Sequence, residues 1–273
     1  MATEQKESGG LNYYVIAGLS VLIIMYMVGN SIEPDIAEEL DFFEAILTGA
    51  YLVAAVFAFN VARRYRGSKI FGRAYFALGV AYSAYFMGWL MWYVSQIWLK
   101  IENPYPSYPD LFYFTFFPFA IYHLRTNIHY FRRKLSREQI FILFSIPTAV
   151  FLIYLFLGLV PFDTSKGIFH LQILPMPQYD QEFYNQFAGG LVYMFVSTFV
   201  LSYAIVGVQI FRKTVLGAAW GLLMVSFMMN ASADIPYYFI ELVGGFERAS
   251  PTTAMWFGSM IFACYALYKH RDL

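Results

Sequence analysis

The sequence has little charge and a single cysteine, and each shortage excludes a class of protein. Charged residues make up 13% of its 273 positions, against roughly 25% in an average soluble domain. Basic and acidic residues number 18 each, so the chain lacks the excess positive charge of a nucleic-acid-binding protein. Because Cys264 is the only cysteine, an internal disulfide and a multi-cysteine metal site are excluded.

Familiar catalytic and cofactor motifs are missing as well. The sequence contains no G-x-S-x-G, H-E-x-x-H or G-x-x-x-x-G-K pattern and no dinucleotide fingerprint. His123 and His129 are six residues apart, a spacing that puts them on different faces of a helix and does not suit a pair of haem ligands. We therefore predict a non-enzymatic protein with no cofactor and no metal site.

Long apolar segments dominate what is present. Hydrophobic residues make up 59% of the chain, and a helix needs about 20 apolar residues to cross a bilayer core about 30 Å thick. Because these segments lack the alternation of barrel strands, and backbone groups in lipid must be paired, we predict an all-α integral membrane protein. Its eight predicted transmembrane helices are at about 11–31, 43–65, 72–99, 109–131, 138–160, 186–212, 216–243 and 251–270.

The charges of the connecting segments alternate along the chain. The segments RRYRGSK, RTNIHYFRRKLSRE and FRK, after the second, fourth and sixth spans, are basic, as is the tail YKHRDL, whereas the other connections are acidic or mixed. The positive-inside rule assigns basic segments to the cytoplasm. We therefore predict a cell-membrane protein, plasma or inner, with both termini cytoplasmic and with segments 32–42 and 161–184 outside.

The two halves of the chain resemble each other at low identity. A shift of 145 residues pairs Gly72 with Gly217 at the start of the third and seventh spans, and both halves have the same helix order and charge pattern. Four spans per unit give the copies the same orientation, which makes a parallel repeat about an axis along the membrane normal. The predicted four-helix repeats are residues 1–137 and 138–273.

The stretch PYPSYPDLFYFTFFPF, residues 104–119, combines prolines with many aromatic residues. Proline is tolerated in the first turn of a helix, and Ser107 with Asp110 fits an S-x-x-D capping pattern. We interpret the stretch as the point where the fourth span enters the membrane from outside. A direct role in ligand binding is the alternative.

The seventh span carries a carboxyl group, Asp234, away from its ends. Spacings of i, i+4 and i+7 place four polar-tipped residues of this span on one helical face, and the repeat shift identifies the corresponding face of the third span. If the two spans flank the repeat axis, an aromatic wall opposes a carboxylate-bearing wall. The candidate ligand-binding residues are Asn230, Asp234, Tyr237 and Glu241, opposed by Tyr85, Trp89, Trp92 and Gln96.

Such a chamber suits a small cationic or amphipathic ligand, held by cation–π and charge contacts. The alternative is a packing role, in which Asp234 is a neutral carboxyl bonded between helices. An unpaired charge there costs at least ~2.5–3.5 kcal/mol on insertion scales, so Asp234 needs a partner or a proton. The candidate partners are Asn230, Tyr85 and Trp89.

Residues 88–118, GWLMWYVSQIWLKIENPYPSYPDLFYFTFFP, resemble the membrane input (sensor) domains of bacterial and archaeal diguanylate-cyclase and histidine-kinase signalling proteins. The resemblance consists of a Trp-rich helix, Pro106-Ser107, Asp110, Tyr113 and Pro118, and the later segment SADIPYY is similar to an Asp-containing helix of those modules. It implies a polytopic sensor. Because the sequence ends at Leu273 without an output domain, the resemblance implies signalling through a partner.

We accordingly predict a sensor or ligand-binding module that works by ligand-biased movement of one four-helix unit against the other. Its predicted partners are membrane lipids and a protein partner or a second copy of the chain, and no nucleic acid. Three alternatives stay open. They are an accessory subunit of a larger membrane complex, a small-solute transporter, and an intramembrane lipid enzyme with Asp234 and Glu241 as acid and base.

Overall fold

The computed structural model describes residues 12–32, 42–100, 107–159, 181–211, 217–242 and 251–271. These residues confirm the predicted all-α class and its eight helical segments. The helix that begins furthest from its prediction starts at Gln181, five residues before position 186. The helices are α1 (Tyr13–Ile32), α2 (Phe42–Arg64), α3 (Phe71–Tyr93, continued by a π-helical turn, Val94–Trp98), α4 (Tyr108–Phe131), α5 (Arg137–Leu159), α6 (Gln181–Phe211), α7 (Gly217–Leu242) and α8 (Pro251–Arg271).

Five of the eight helices are long and apolar enough to cross a membrane, namely α2, α3, α5, α6 and α7. In α1 the apolar stretch Tyr13–Val28 is shorter. Helices α4 and α8 are rich in tyrosine, threonine and histidine, which lower the mean hydropathy although their rings and methyl groups are apolar. The chain therefore has the character of a membrane protein. The predicted outer segments 32–42 and 161–184 lie largely outside the described residues.

Six helices form a closed ring in the order α2, α3, α4, α6, α7, α8, in which each helix packs against its two neighbours. Helix α1 packs against α8, and α5 packs against α6. The exposed side chains of α1 and α5 are largely apolar, such as Ile24 and Met25 in α1 and Phe141 and Ile153 in α5. These two helices thus present an apolar surface of the kind that contacts lipid.

Consecutive helices run in opposite directions, so the basic connections lie together. Phe131 at the end of α4 contacts Phe211 at the end of α6, with ring centroids 5.2 Å apart, and Asn12 before α1 donates its N–H to the Tyr265 hydroxyl of α8 at 2.9 Å. We call this side of the bundle the basic end. Its described basic side chains include Arg63, Arg66, Lys69 and Arg73 around the α2–α3 turn and Arg132, Arg133 and Lys134 after α4.

Close helix packing depends on small residues at the contacts between α3 and its neighbours. At Gly88 an added Cβ would lie 2.6 Å from the Tyr113 ring and 3.2 Å from the carbonyl oxygen of Pro109, so α4 approaches α3 where that helix has no side chain. Buried alanines such as Ala74 and Ala81 continue this face. The ring interior is then filled mainly by large aromatic side chains, including Tyr51, Tyr75, Tyr82, Phe116, Trp220 and Phe227.

The start of α4 confirms the predicted cap. The N–H and the hydroxyl of Ser107 both donate to Oδ2 of Asp110, at 2.6 and 2.8 Å, and Pro109 lies in the first turn. Asp110 is only 8% exposed, and its Oδ1 accepts a hydrogen bond from the Tyr193 hydroxyl of α6 at 2.9 Å. The capping carboxyl therefore also joins α4 to α6, a contact that the sequence did not predict.

Candidate ligand-binding site

Asp234 lies in the interior of the helix ring and is 3% exposed. The indole N–H of Trp256 in α8 donates to its Oδ1 at 2.9 Å, and the hydroxyl of Ser197 in α6 donates to its Oδ2. Both donors are uncharged groups. The carboxyl therefore connects three successive helices, α6, α7 and α8, through hydrogen bonds to both of its oxygens.

These partners differ from the ones that the sequence proposed. Asn230, one turn before Asp234, accepts hydrogen bonds at Oδ1 from the Tyr51 hydroxyl of α2 at 3.5 Å and from the Ser259 hydroxyl of α8 at 3.4 Å. Its side chain thus bonds to α2 and α8 instead of to Asp234. The reason is geometric, since side chains at i and i+4 lie about 5–6 Å apart and each finds a nearer donor on a neighbouring helix.

Aromatic rings from both halves of the chain meet beside Asp234. Trp256 contacts Tyr237 and Trp89 edge to face, with ring centroids 5.2 and 6.4 Å apart. Trp89 in turn contacts Trp92 at 5.8 Å and Tyr113 at 6.1 Å. We call these five rings the aromatic cluster. They come from α3, α4, α7 and α8, so the cluster spans the boundary between residues 1–137 and 138–273.

The two predicted faces reach each other through residues that the sequence did not single out. Tyr85 of α3 contacts Tyr51 at 4.9 Å, and the Tyr51 hydroxyl bonds to Asn230 of α7. Six of the eight predicted candidates are brought together in this way: Tyr85, Trp89, Trp92, Asn230, Asp234 and Tyr237. The side chains of Gln96 and Glu241 lie outside the part of the chain that the structure describes.

Sequence reasoning missed Ser197, Trp256 and Tyr51, although a signal for the first two was present. In an antiparallel helix pair, residues at similar distances from the connection lie opposite each other. Trp256 lies about as far after the α7–α8 connection as Asp234 lies before it, to within one helical turn. Ser197 lies about as far before the α6–α7 connection as Asp234 lies after it, again to within one turn. A search for polar side chains at those two positions would have found both donors.

Accessibility differs across the cluster. Asp234 and Trp256 are buried, whereas Trp89, Trp92, Tyr113 and Tyr237 are only half-buried. The Nε1 atom of Trp89 is enclosed and interacts with the Tyr51 hydroxyl of α2. The cluster therefore offers half-buried ring surfaces with a carboxyl behind them, which together suit a small cation.

A second buried cluster lies toward the basic end. Nδ1 of His123 donates to the carbonyl oxygen of Ala74 at 2.9 Å, since a carbonyl oxygen can only accept. The rings of Tyr75 and Trp220 contact both His123 and His270. Within the described ranges no group of three His, Cys, Asp or Glu side chains is close enough to hold a metal ion. His123 acts here as a packing residue between α3 and α4.

No protein-family model, curated protein or solved structure matches the chain. The resemblance to membrane input domains therefore depends on residues 88–118 and the segment SADIPYY alone, and it stays a prediction. Any functional assignment has to be argued from the geometry of Asp234 and the aromatic cluster.

Proposed function

We propose that the protein is a multi-pass membrane sensor, a non-enzymatic module that binds a small ligand and acts through a partner protein. The observation that carries the proposal is the position of Trp256. Its indole N–H holds Asp234, while its ring contacts Trp89 of the other half of the chain. A ligand that displaces this ring changes a buried hydrogen bond in one half and a packing contact with the other.

Polar contacts between the halves provide a route for such a response. Tyr51 of the first half bonds to Asn230 of the second at 3.5 Å, and Tyr193 of the second half bonds to Asp110 of the first at 2.9 Å. Buried hydrogen bonds of this kind favour discrete arrangements over gradual deformation. A ligand shifts the balance between two arrangements by the difference in its affinity for them.

The chemistry of the cluster favours a small amphipathic cation as the ligand. Aromatic faces attract ammonium groups by ~0.5–1 kcal/mol at exposed sites and about 2 or more where water is excluded. Asp234 adds a carboxyl group, which takes the opposite charge when it loses its proton, directly behind Trp256.

We further propose that all eight helices cross the membrane and that both termini are cytoplasmic. Helix α4 follows α3 over its length, from Gly88 beside Pro109 at one end to Ala74 beside His123 at the other. Helix α8 follows α7 in the same way, from Trp256 beside Asp234 to His270 beside Trp220. Helix α1 follows α8 in turn, from Asn12 beside Tyr265 to Tyr26 beside Phe257. Helices that follow membrane-spanning neighbours are expected to span as well, so the five apolar helices together with α4, α8 and α1 support eight crossings.

The packing order of six helices also supports the proposed parallel repeat, whereas α1, which packs on α8, and α5, which packs on α6, do not occupy equivalent places. Helix α3 lies between α2 and α4 as α7 lies between α6 and α8, and the contact of α2 with α8 corresponds to that of α6 with α4. The repeat shift of 145 residues pairs Tyr75 with Trp220, and these two rings contact each other at 5.9 Å. An axis between them would relate α2, α3 and α4 of residues 1–137 to α6, α7 and α8 of residues 138–273.

The proposed topology predicts that the C-terminus lies on the cytoplasmic side of the membrane. A reporter that is active only in the cytoplasm, fused after Leu273, should be active, and the same reporter inserted within 161–184 should be inactive. The expectation follows from the basic residues at the end of the bundle where α8 finishes. A reporter after Leu273 that reads as external would contradict the eight-span arrangement.

Ligand binding can be followed through intrinsic tryptophan fluorescence, because three of the five tryptophans belong to the aromatic cluster. Titration of the purified protein with choline should change the fluorescence saturably and raise the unfolding temperature. The neutral isostere 3,3-dimethylbutan-1-ol should produce neither effect, because it has the shape of choline without the charge. Asp234→Asn should weaken choline binding at least about tenfold, the loss expected for a charge contact of about 1.4 kcal/mol.

Matched variants show which tryptophan gives the fluorescence change. Trp98→Phe should keep the response, since Trp98 is 75% exposed and lies outside the cluster, whereas Trp89→Phe should reduce it. Equal binding of choline and its isostere, or full choline binding by Asp234→Asn, would contradict a cation site at Asp234. An unaltered fluorescence and unfolding temperature at all choline concentrations would favour the packing role instead.

A further inference from the structure

A cavity of about 940 Å³ lies at the basic end, between α2, α3 and α4. It is separate from the aromatic cluster, with which it shares no residue. Part of its lining is basic and consists of Arg63, Arg66, Lys69 and Arg73. Another part is aromatic and consists of Phe59, Phe76, Phe119 and Tyr122. The cavity therefore combines a positively charged region with an apolar one.

All charged side chains in the basic region of the cavity are positive. All four cations are exposed, and the described lining contains no Asp or Glu that would neutralise them. Three of the four are arginines, whose guanidinium groups bind phosphate oxygens through two parallel hydrogen bonds. Ser68 also lines the cavity and has a hydroxyl that can donate to an anion. This combination selects a phosphate group over a neutral ligand.

The turn between α2 and α3 fixes the backbone from which the cations extend. Ser68 donates its N–H to the Tyr65 carbonyl oxygen at 2.8 Å, and Gly72 donates its N–H to the Ser68 carbonyl oxygen at 3.1 Å. The Ser68 hydroxyl oxygen accepts the N–H of Phe71 at 3.1 Å. An added Cβ at Gly72 would lie 2.7 Å from the Tyr65 carbonyl oxygen. The turn is thus tight and internally bonded, and it sets the backbone positions of the basic residues around one opening.

The apolar region opens on the outer surface of the bundle. Phe59 and Phe76 form one wall, with ring centroids 5.5 Å apart, and Pro118 and Phe119 of α4 form the other. Phe76 is 58% exposed, although it belongs to a helix that is apolar enough to cross a membrane. An exposed aromatic groove at this depth faces acyl chains. Its continuity with the basic region matches a molecule that has an anionic head and an apolar tail.

We propose that this cavity is a binding site for one anionic phospholipid of the adjoining leaflet. The headgroup phosphate lies among the four cations, and an acyl chain lies in the groove between Phe76 and Phe119. Basic side chains between transmembrane helices attract anionic headgroups, and a defined cavity makes the site saturable, unlike the general lipid annulus. The site is independent of the sensor function proposed above.

Native mass spectrometry of the detergent-purified protein tests the proposal. The protein is mixed with phosphatidylglycerol or with phosphatidylcholine that has the same acyl chains. One phosphatidylglycerol per chain should be retained, in preference to phosphatidylcholine. Arg63→Gln/Arg73→Gln should weaken the retention roughly tenfold. The matched control, Arg132→Gln/Arg133→Gln, removes the same charge from exposed residues at the same end that do not line the cavity, and it should retain the lipid as the wild type does.

Three results would overturn the assignment. They are equal retention of the two lipids, equal loss in the control and the cavity variant, and displacement of phosphatidylglycerol by millimolar inorganic phosphate, which would make the cavity a site for a free ion. Lys69→Gln provides a second measure if the double variant does not fold, because Lys69 is an exposed residue of the turn. It should weaken the retention about threefold to fivefold, and unchanged retention would also count against the proposal.

Discussion

Replacing Asp234 with leucine is expected to lower the free energy of unfolding by about 2–6 kcal/mol. Leucine has a similar size but leaves the Ser197 hydroxyl and the Trp256 indole N–H, which now donate to Asp234, without an acceptor. Each buried donor that loses its partner costs about 1–3 kcal/mol. The measurement is the unfolding of the purified protein in mixed micelles, followed by denaturant titration.

The matched control is Asp234→Asn. Its Oδ1 still accepts the Trp256 N–H, and its amide group donates to the Ser197 hydroxyl oxygen, so its free energy of unfolding should stay within about 1 kcal/mol of the wild type. The pair of variants separates the two roles of Asp234, since leucine removes the hydrogen bonds, whereas asparagine keeps them and removes only the ionisable group. Equal stability of the two variants would mean that the carboxyl does not connect α6, α7 and α8.

The helices could be predicted from the sequence because each depends on local composition. A run of about 20 apolar residues can be recognised from the local sequence alone, and all eight predicted segments correspond to observed helices. The cap at Ser107 and Asp110 was predictable for the same reason, since both residues lie within one turn. The second role of Asp110, as acceptor for Tyr193 of α6, was not predictable because those residues are 83 positions apart.

The candidate site was predicted in outline and missed in detail. A buried carboxyl such as Asp234 is conspicuous in an apolar span, and the repeat shift led from it to Tyr85 and Trp89 on the opposite helix. Its actual donors lie on neighbouring helices and can be found only from their distances to the helix connections, because a serine such as Ser197 is common in membrane helices and carries no signal within its own helix. Only the helix packing order, which places α7 between α6 and α8, decides which hydroxyl or indole reaches the carboxyl.

The cluster at the basic end shows the same limit more clearly. The sequence invited a comparison of His123 with His129, because the two are close in the chain. In the structure, the neighbours of His123 are the Ala74 carbonyl oxygen of α3 and the rings of Tyr75 and Trp220. Those residues lie on two other helices, so spacing along α4 gives no information about them.

Trp220→Ala is expected to destabilise the protein by about 3–5 kcal/mol, the range for removing a large buried aromatic side chain. Trp220 is 1% exposed and stacks on Phe211 with ring centroids 4.5 Å apart. It also contacts His270 at 5.0 Å and His123 at 5.7 Å. Its removal leaves a cavity where α4, α6, α7 and α8 meet. The surrounding side chains are already packed and cannot fully fill that cavity.

Trp98→Ala is the matched control, since the same atoms are removed from a side chain that is 75% exposed. It should change the free energy of unfolding by less than about 1 kcal/mol, and Trp220→Phe should recover part of the loss because a ring still fills the space. Both measurements use the same denaturant titration. If Trp220→Ala is as stable as Trp98→Ala, the contacts of Trp220 do not hold the two halves together at the basic end. The closed ring of six helices would then need a different packing order, because that order is what buries Trp220 between α4, α6 and α8.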